Sequence, residues 1–139
     1  MTQHRASKPP VIISPATVPE PEDTPPVLPL GDVTVEWQKV SRTQDGAPVT
    51  LRACRVWVNR DSYEDPHGFS RPVFDVHVGP DTTSFAVPVA FFVAGGLYEV
   101  EVVAIEESGN QTIGGASLFA IKQRPVTARG IGHRCCAFP

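Results

Sequence analysis

Several places in this sequence carry residue types that can do chemistry. Near the C-terminus His133, Cys135 and Cys136 bring an imidazole and two thiols close together, and these are zinc-ligand types. A structural zinc site takes four ligands, commonly as two well-separated pairs. Adjacent cysteines splay to opposite sides and no fourth ligand accompanies them, so the set reads as an incidental tail and no metal is expected. Asp61, Glu64, Asp65 and His67 collect oxygens suited to calcium, yet they lack the alternating acidic ligands and central glycine of an EF-hand loop. A solvated acidic loop is the simpler reading. Glu106 and Glu107 are a carboxylate pair by position, but neighbours on an extended chain face opposite ways. They read as solubilising charges flanking a turn. There is no G-x-S-x-G elbow, no H-E-x-x-H helix motif and no phosphate-cradling glycine loop. The expectation is therefore a protein that is not an enzyme, with no catalytic residue and no cofactor. Asn110-Gln111-Thr112 fits the N-glycosylation acceptor pattern, a short motif that arises often by chance.

One candidate survives as a binding lead. Arg55 and Trp57 alternate with Cys54, Val56 and Val58, so on a strand the tryptophan and arginine share the face opposite the cysteine and valines. An outward tryptophan beside a guanidinium has the composition of an interface hot spot. The competing reading is that its own loop, through Tyr63 or Phe69, folds over the ring.

Whole-chain properties narrow the partners. With 12 basic and 15 acidic residues, a net charge of −3, no long-range field draws nucleic acid or an anionic membrane. No apolar run approaches the roughly 20 residues of a membrane-spanning helix, so neither nucleic-acid binding nor membrane insertion is expected. "MTQHRASKPPVIISPATVPEP" has no sustained apolar stretch before a small-residue cleavage site and does not read as a secretory leader. Three cysteines are too few for a disulfide framework. At 139 residues the chain has room for one domain with a real core.

The elements that must position Trp57 and Arg55 follow from the pattern. Eight of the 15 prolines fall at Pro9, Pro10, Pro15, Pro19, Pro21, Pro25, Pro26 and Pro29. Proline fixes φ and lacks the amide proton, so residues 9–31 read as a Pro-rich linker, in which Val11–Ile13 suits a first edge strand ending at Pro15. Residues 1–8 are expected as a disordered tail. From Asp32 the texture alternates with period two. Val33, Val35 and Trp37 share one face, as do Cys54, Val56 and Val58. Phe74, Val76 and Val78 oppose Asp75 and His77; Phe85 and Val87 precede Pro88; Tyr98, Val100, Val102 and Ala104 oppose Glu99 and Glu101; Ile113 to Ile121 closes the set. Asp45-Gly46, Gly79-Pro80-Asp81 and "ESGN" supply turns. No segment has helical period. Six or seven short strands with frequent turns predict an all-β, immunoglobulin-like sandwich of about seven antiparallel strands over residues 32–122, with residues 123–139 as a disordered tail.

The run "VTVEW", the loop "DGAPV", the strand "CRVWV", then "TTSFAVP" and "LYEVEVVAIEESGNQT" together resemble the fibronectin type III domain, especially its bacterial extracellular versions, from about Val33 to Ile121. The resemblance implies that Trp37 fills the centre between the sheets. It also implies that Tyr98 makes a tyrosine corner, its hydroxyl returning to backbone a few residues upstream. Phe92 stands where the family has leucine, Ala94 where it has proline, and Cys54 where it commonly places a core tyrosine, with Phe91 or Phe92 filling the volume. Protein or carbohydrate contact, or spacing, within a larger secreted or cell-surface protein is what the family implies. The alternative is an intracellular or virion-associated protein that uses the same fold for assembly. Oligomeric state is not legible.

Overall fold

The computed structural model of the chain describes residues 5–15, 25–61 and 71–125. Nine strands occur among these residues. They are β1 (Ile12–Ser14), β2 (Val27–Leu28), β3 (Val33–Trp37), β4 (Leu51–Asp61), β5 (Arg71–Val78), β6 (Ser84–Val87), β7 (Leu97–Glu106), β8 (Gln111–Ile113) and β9 (Ser117–Ile121), with a 3-10 turn over Val89–Phe91. They form two sheets. The smaller runs β1-β3-β6 and the larger β2-β9-β7-β4-β5, with β8 pairing to β7. The all-β sandwich predicted from period-two alternation is the architecture found.

The core sits where the alternation put it. Val33, Val35 and Trp37 of β3 face Cys54, Val56 and Val58 of β4 and Tyr98, Val100, Val102 and Ala104 of β7, all buried in one cluster. Trp37 is 2% exposed. Its indole N–H bonds the Cys54 thiol, while burial pushes that thiol's pKa up. The cysteine that stands in the place of a core tyrosine thus gives the tryptophan an acceptor. Phe92, not Phe91, joins the interior. It meets Tyr98 edge-on with ring centroids 5.0 Å apart and Phe119 at 5.8 Å, whereas Phe91 is 41% exposed and packs on Phe74.

Tyr98 is fully buried and its hydroxyl accepts the Val93 N–H at 2.8 Å, the tyrosine corner that the resemblance implied. The corner leaves no room beside it. A Cβ on Gly96 would lie 2.7 Å from the Tyr98 ring, and Gly95 turns the chain at φ +79°.

The N-terminal region departs from expectation. Ser7, placed in a disordered tail, is buried and bridges Thr43. Its backbone N–H donates to Glu106 Oε1 at 2.6 Å, and its hydroxyl meets the Thr112 hydroxyl at 3.0 Å. Residues 25–31, placed in the linker, contain β2, which pairs in parallel with β9 and adds a short strand beyond the antiparallel set. Prolines permit this because they act as acceptors at the strand's edge. The Pro26 carbonyl takes the Ala120 N–H, and the Leu28 carbonyl takes that of Lys122. β1, over Ile12–Ser14, pairs with β3 at the end of the smaller sheet.

Two further corrections concern β7 and its hairpin. The single strand expected from Ile113 to Ile121 is broken into β8 and β9, and in the break Gly114 lies so close to the Pro10 carbonyl oxygen that a Cβ would come 2.1 Å from it. The N-terminal segment crosses there. Glu106, expected as a solubilising charge, is 1% exposed. Its second oxygen accepts the Ser108 hydroxyl at 2.9 Å and the Asn110 amide at 3.4 Å, so it holds the four-residue turn in which Gly109 takes φ +91°.

Truncating Glu106→Ala leaves the buried Ser7 N–H without its acceptor and frees the exposed Ser108 and Asn110 from the turn, and is expected to cost roughly 1 to 3 kcal/mol in urea denaturation. Tyr98→Phe is expected to cost about 1 kcal/mol by the same measurement, the worth of one buried hydrogen bond. An unchanged midpoint for either variant contradicts its assigned role.

Candidate functional site

The outer face of the larger sheet gathers the charged residues of three strands. Along β4 the positions alternating with the inward Cys54, Val56 and Val58 are Arg55, Trp57 and Asn59, the first two partly exposed and Asn59 itself buried. Strand pairing then fixes their neighbours. Trp57 lies opposite Asp75 of β5 and Glu101 of β7; Asn59 lies opposite Glu99; Arg55 lies opposite His77 and Val103. One aromatic ring is thus set among one guanidinium and three carboxylates.

Arg55 and Asp75 form a two-pronged clasp. The Arg55 Nε donates to Asp75 Oδ1 at 2.7 Å, and a second guanidinium nitrogen bonds Oδ2. The same guanidinium lies 4.6 Å from the centre of the Trp57 ring, within cation–π range. The hydrogen bonds from Arg55 hold the Asp75 carboxyl below its ordinary pKa, against a small opposing effect of burial. Arg55 is raised in turn by its bond to Asp75. The pair is partly exposed, at 26% and 42% for the two side chains, so it orients the ring rather than adding much stability.

Beside the clasp the chemistry reverses. Burial pushes the Glu99 carboxyl up, and the charges of Glu101 and Asp61 and a bond to Glu101 push it further in the same direction. Two polar atoms here are shut off from solvent without a partner among the described residues: the Trp57 Nε1 and the Asn59 Oδ1. These are two unmet polar groups beneath the surface at this position.

The residues named from sequence divide accordingly. Arg55 and Trp57 come together as their alternation required. His133, Cys135, Cys136, Glu64, Asp65, His67, Tyr63 and Phe69 lie outside the described residues. Asp61 closes β4 near Glu99. No cluster of three or more His, Cys, Asp or Glu side chains among the described residues is arranged to hold a metal. Asp75, Glu99 and Glu101 were legible as outward residues, but their meeting with Trp57 is set by strand register, which alternation does not carry. Asn59 had no signal at all. Elsewhere, a cleft of about 380 Å³ beside β1 is lined by Lys8, Pro9, Pro10, Val11, Ile12, Gly115 and Ala116. Apart from Lys8 its walls are aliphatic and offer no nucleophile or carboxylate.

No family model and no curated protein matches the chain. Solved structures do. The third fibronectin III domain of human KIAA0343 protein superposes with a TM-score of 0.51 at 12% identity, covering 84% of this chain and 99% of that one. The twitchin kinase region from C. elegans (Fn31-NL-kin-CRD-Ig26) gives a TM-score of 0.50 at 13% identity over 81% of this chain. This chain spans 16% of that structure's length. A structure described as a myokine reaches a TM-score of 0.46 at 19% identity, over 73% of this chain and 100% of that one. At such identities the likeness is one of fold: the chain has a fibronectin type III-like, immunoglobulin-like β-sandwich.

The raised Glu99 carboxyl has a signed consequence. A carboxyl whose folded pKa lies above its unfolded value favours folding while protonated, and that advantage is lost as pH rises through the folded value. At neutral pH the ionised Glu99 therefore weakens the fold, and Glu99→Gln is expected to stabilise it by roughly 0.5 kcal/mol, the scale of a like-charge neighbour on a sheet. Urea denaturation of the two chains should converge near about pH 3, below the ordinary carboxylate range.

Proposed function

We propose that the chain is a non-catalytic β-sandwich module that binds a partner protein through the outer face of the larger sheet, centred on Trp57 and Arg55. The observation that supports this reading is the held ring. Trp57 is fixed by the Arg55 guanidinium, which is itself clasped by Asp75. A pre-oriented aromatic bordered by both signs of charge loses little freedom on contact and matches the make-up of interface hot spots.

The same arrangement favours a polypeptide over a sugar. Carbohydrate stacks on an open aromatic face, and here a guanidinium lies over the indole. The carboxylates of Glu99 and Glu101, flanking Trp57 and Asn59 through the register of β7, suit a partner that brings lysine or arginine. Such a partner would also ease the mutual repulsion that raises Glu99.

The test is selection of a displayed peptide library on the immobilised full chain, with Trp57→Ala and Arg55→Ala chains as counter-targets. Expected are peptides rich in basic residues that lose about tenfold or more in affinity on either variant, the scale of a hot-spot truncation, while the Arg55→Ala melting curve stays near that of the parent. Peptides that bind parent and variants alike would overturn the reading. So would an immobilised glycan panel bound through Trp57 when no peptide is selected, and a chain that binds neither acts as a spacer.

A further inference from the structure

Strand β5 ends the larger sheet, and among the described residues only β4 pairs with it. It is eight residues long, whereas the other strands that end a sheet, β1, β2 and β6, have three, two and four. A long edge strand presents a row of backbone donors and acceptors that can template another strand. Its inward side chains are also incompletely covered. Phe74, Val76 and Val78 pack on the core but stay partly exposed, and Phe91, 41% exposed, extends the apolar surface from Phe74 at a centroid distance of 4.8 Å.

We infer that this edge pairs with a second copy of the chain, β5 against β5 in antiparallel register about a two-fold axis at Val76. Side-chain complementarity, a carboxylate set against an imidazole N–H, selects both the occupant and the register. Residues on the outer face of one copy must meet residues on the outer face of the other, because paired side chains project to the same side of a sheet. With Val76 opposite its own counterpart, Asp75 meets His77 of the second copy and His77 meets Asp75, while Phe74 meets Val78 twice. Shifting the axis by one residue to Asp75 sets two carboxylates face to face, and shifting it to His77 opposes two imidazoles. The sequence of β5 is thus self-complementary at one position, as a closed two-fold interface requires. The backbone pattern is satisfied there too, since a two-fold antiparallel pair can centre on either a hydrogen-bonded or a non-hydrogen-bonded residue.

The test combines sedimentation with cross-linking in the full chain. The unmodified chain is expected to sediment as a dimer, and His77→Glu, which sets a carboxylate opposite Asp75, as a folded monomer with its melting curve retained. In a Cys135→Ser, Cys136→Ser background, Asp75→Cys and His77→Cys chains are prepared separately. Directly opposed residues are close enough for a disulfide, so mild oxidation of the mixture is expected to give a linked pair that neither chain gives alone. A monomeric unmodified chain, or Asp75→Cys cross-linking to itself as readily as to its mixed partner, would overturn the proposal.

Discussion

Strand β7 carries a phenol at one end and a carboxylate near the other, and both are out of water. Tyr98 returns its hydroxyl to the Val93 backbone; Glu106 takes donors from Ser7, Ser108 and Asn110. A carboxyl group in the interior costs free energy unless its oxygens find donors, so the segments that supply them are held in place. The pinned strand then sets everything beside it. It pairs with β4 from Leu51↔Glu106 to Asp61↔Leu97 and with both β8 and β9, and through β4 it fixes the line on which Trp57, Glu101 and Asp75 meet. Val103 and Ile105 are buried on β7's outward side as well, so this end of the strand has no solvent face.

Two positions made the fold legible. Trp37 and Tyr98 are large, their faces are assigned by alternation, and each needs a partner for its polar atom when buried. Alternation supplies faces but not register, which is why Glu99 and Glu101 could be placed outward without being placed beside Trp57. The N-terminal segments were illegible for a different reason. Proline removes a donor but leaves its carbonyl free, and it is carbonyls that Pro26 and Pro10 contribute, one as an acceptor for Ala120 and the other pressed against Gly114. A proline count reads the lost donors and misses the retained acceptors.

Glu106 shows the same limit from the side of charge. Glu106 and Glu107 are identical in type and adjacent, yet one is buried and the other exposed. The parity that buries Tyr98, Val100, Val102 and Ala104 points to position 106, and the serine and asparagine of the following turn are the donors a buried carboxylate would need. Polarity alone assigns Glu106 to solvent, whereas in the fold parity and turn chemistry act together to bury it.

Asp75 connects the two surfaces of the larger sheet that can meet other molecules. It clasps Arg55, which holds Trp57, and it lies on the edge strand β5. A carboxylate offers about four lone-pair sites, so an imidazole arriving at the edge can share it without displacing the guanidinium. A two-fold axis across that edge runs perpendicular to the sheet, and the outer faces of both copies then look the same way. Two Trp57 sites on one side of a continuous sheet would engage a repetitive partner together, where the second contact benefits from the effective concentration set by the first. A modest single site, of the kind one held tryptophan can supply, is sufficient for firm attachment under that geometry.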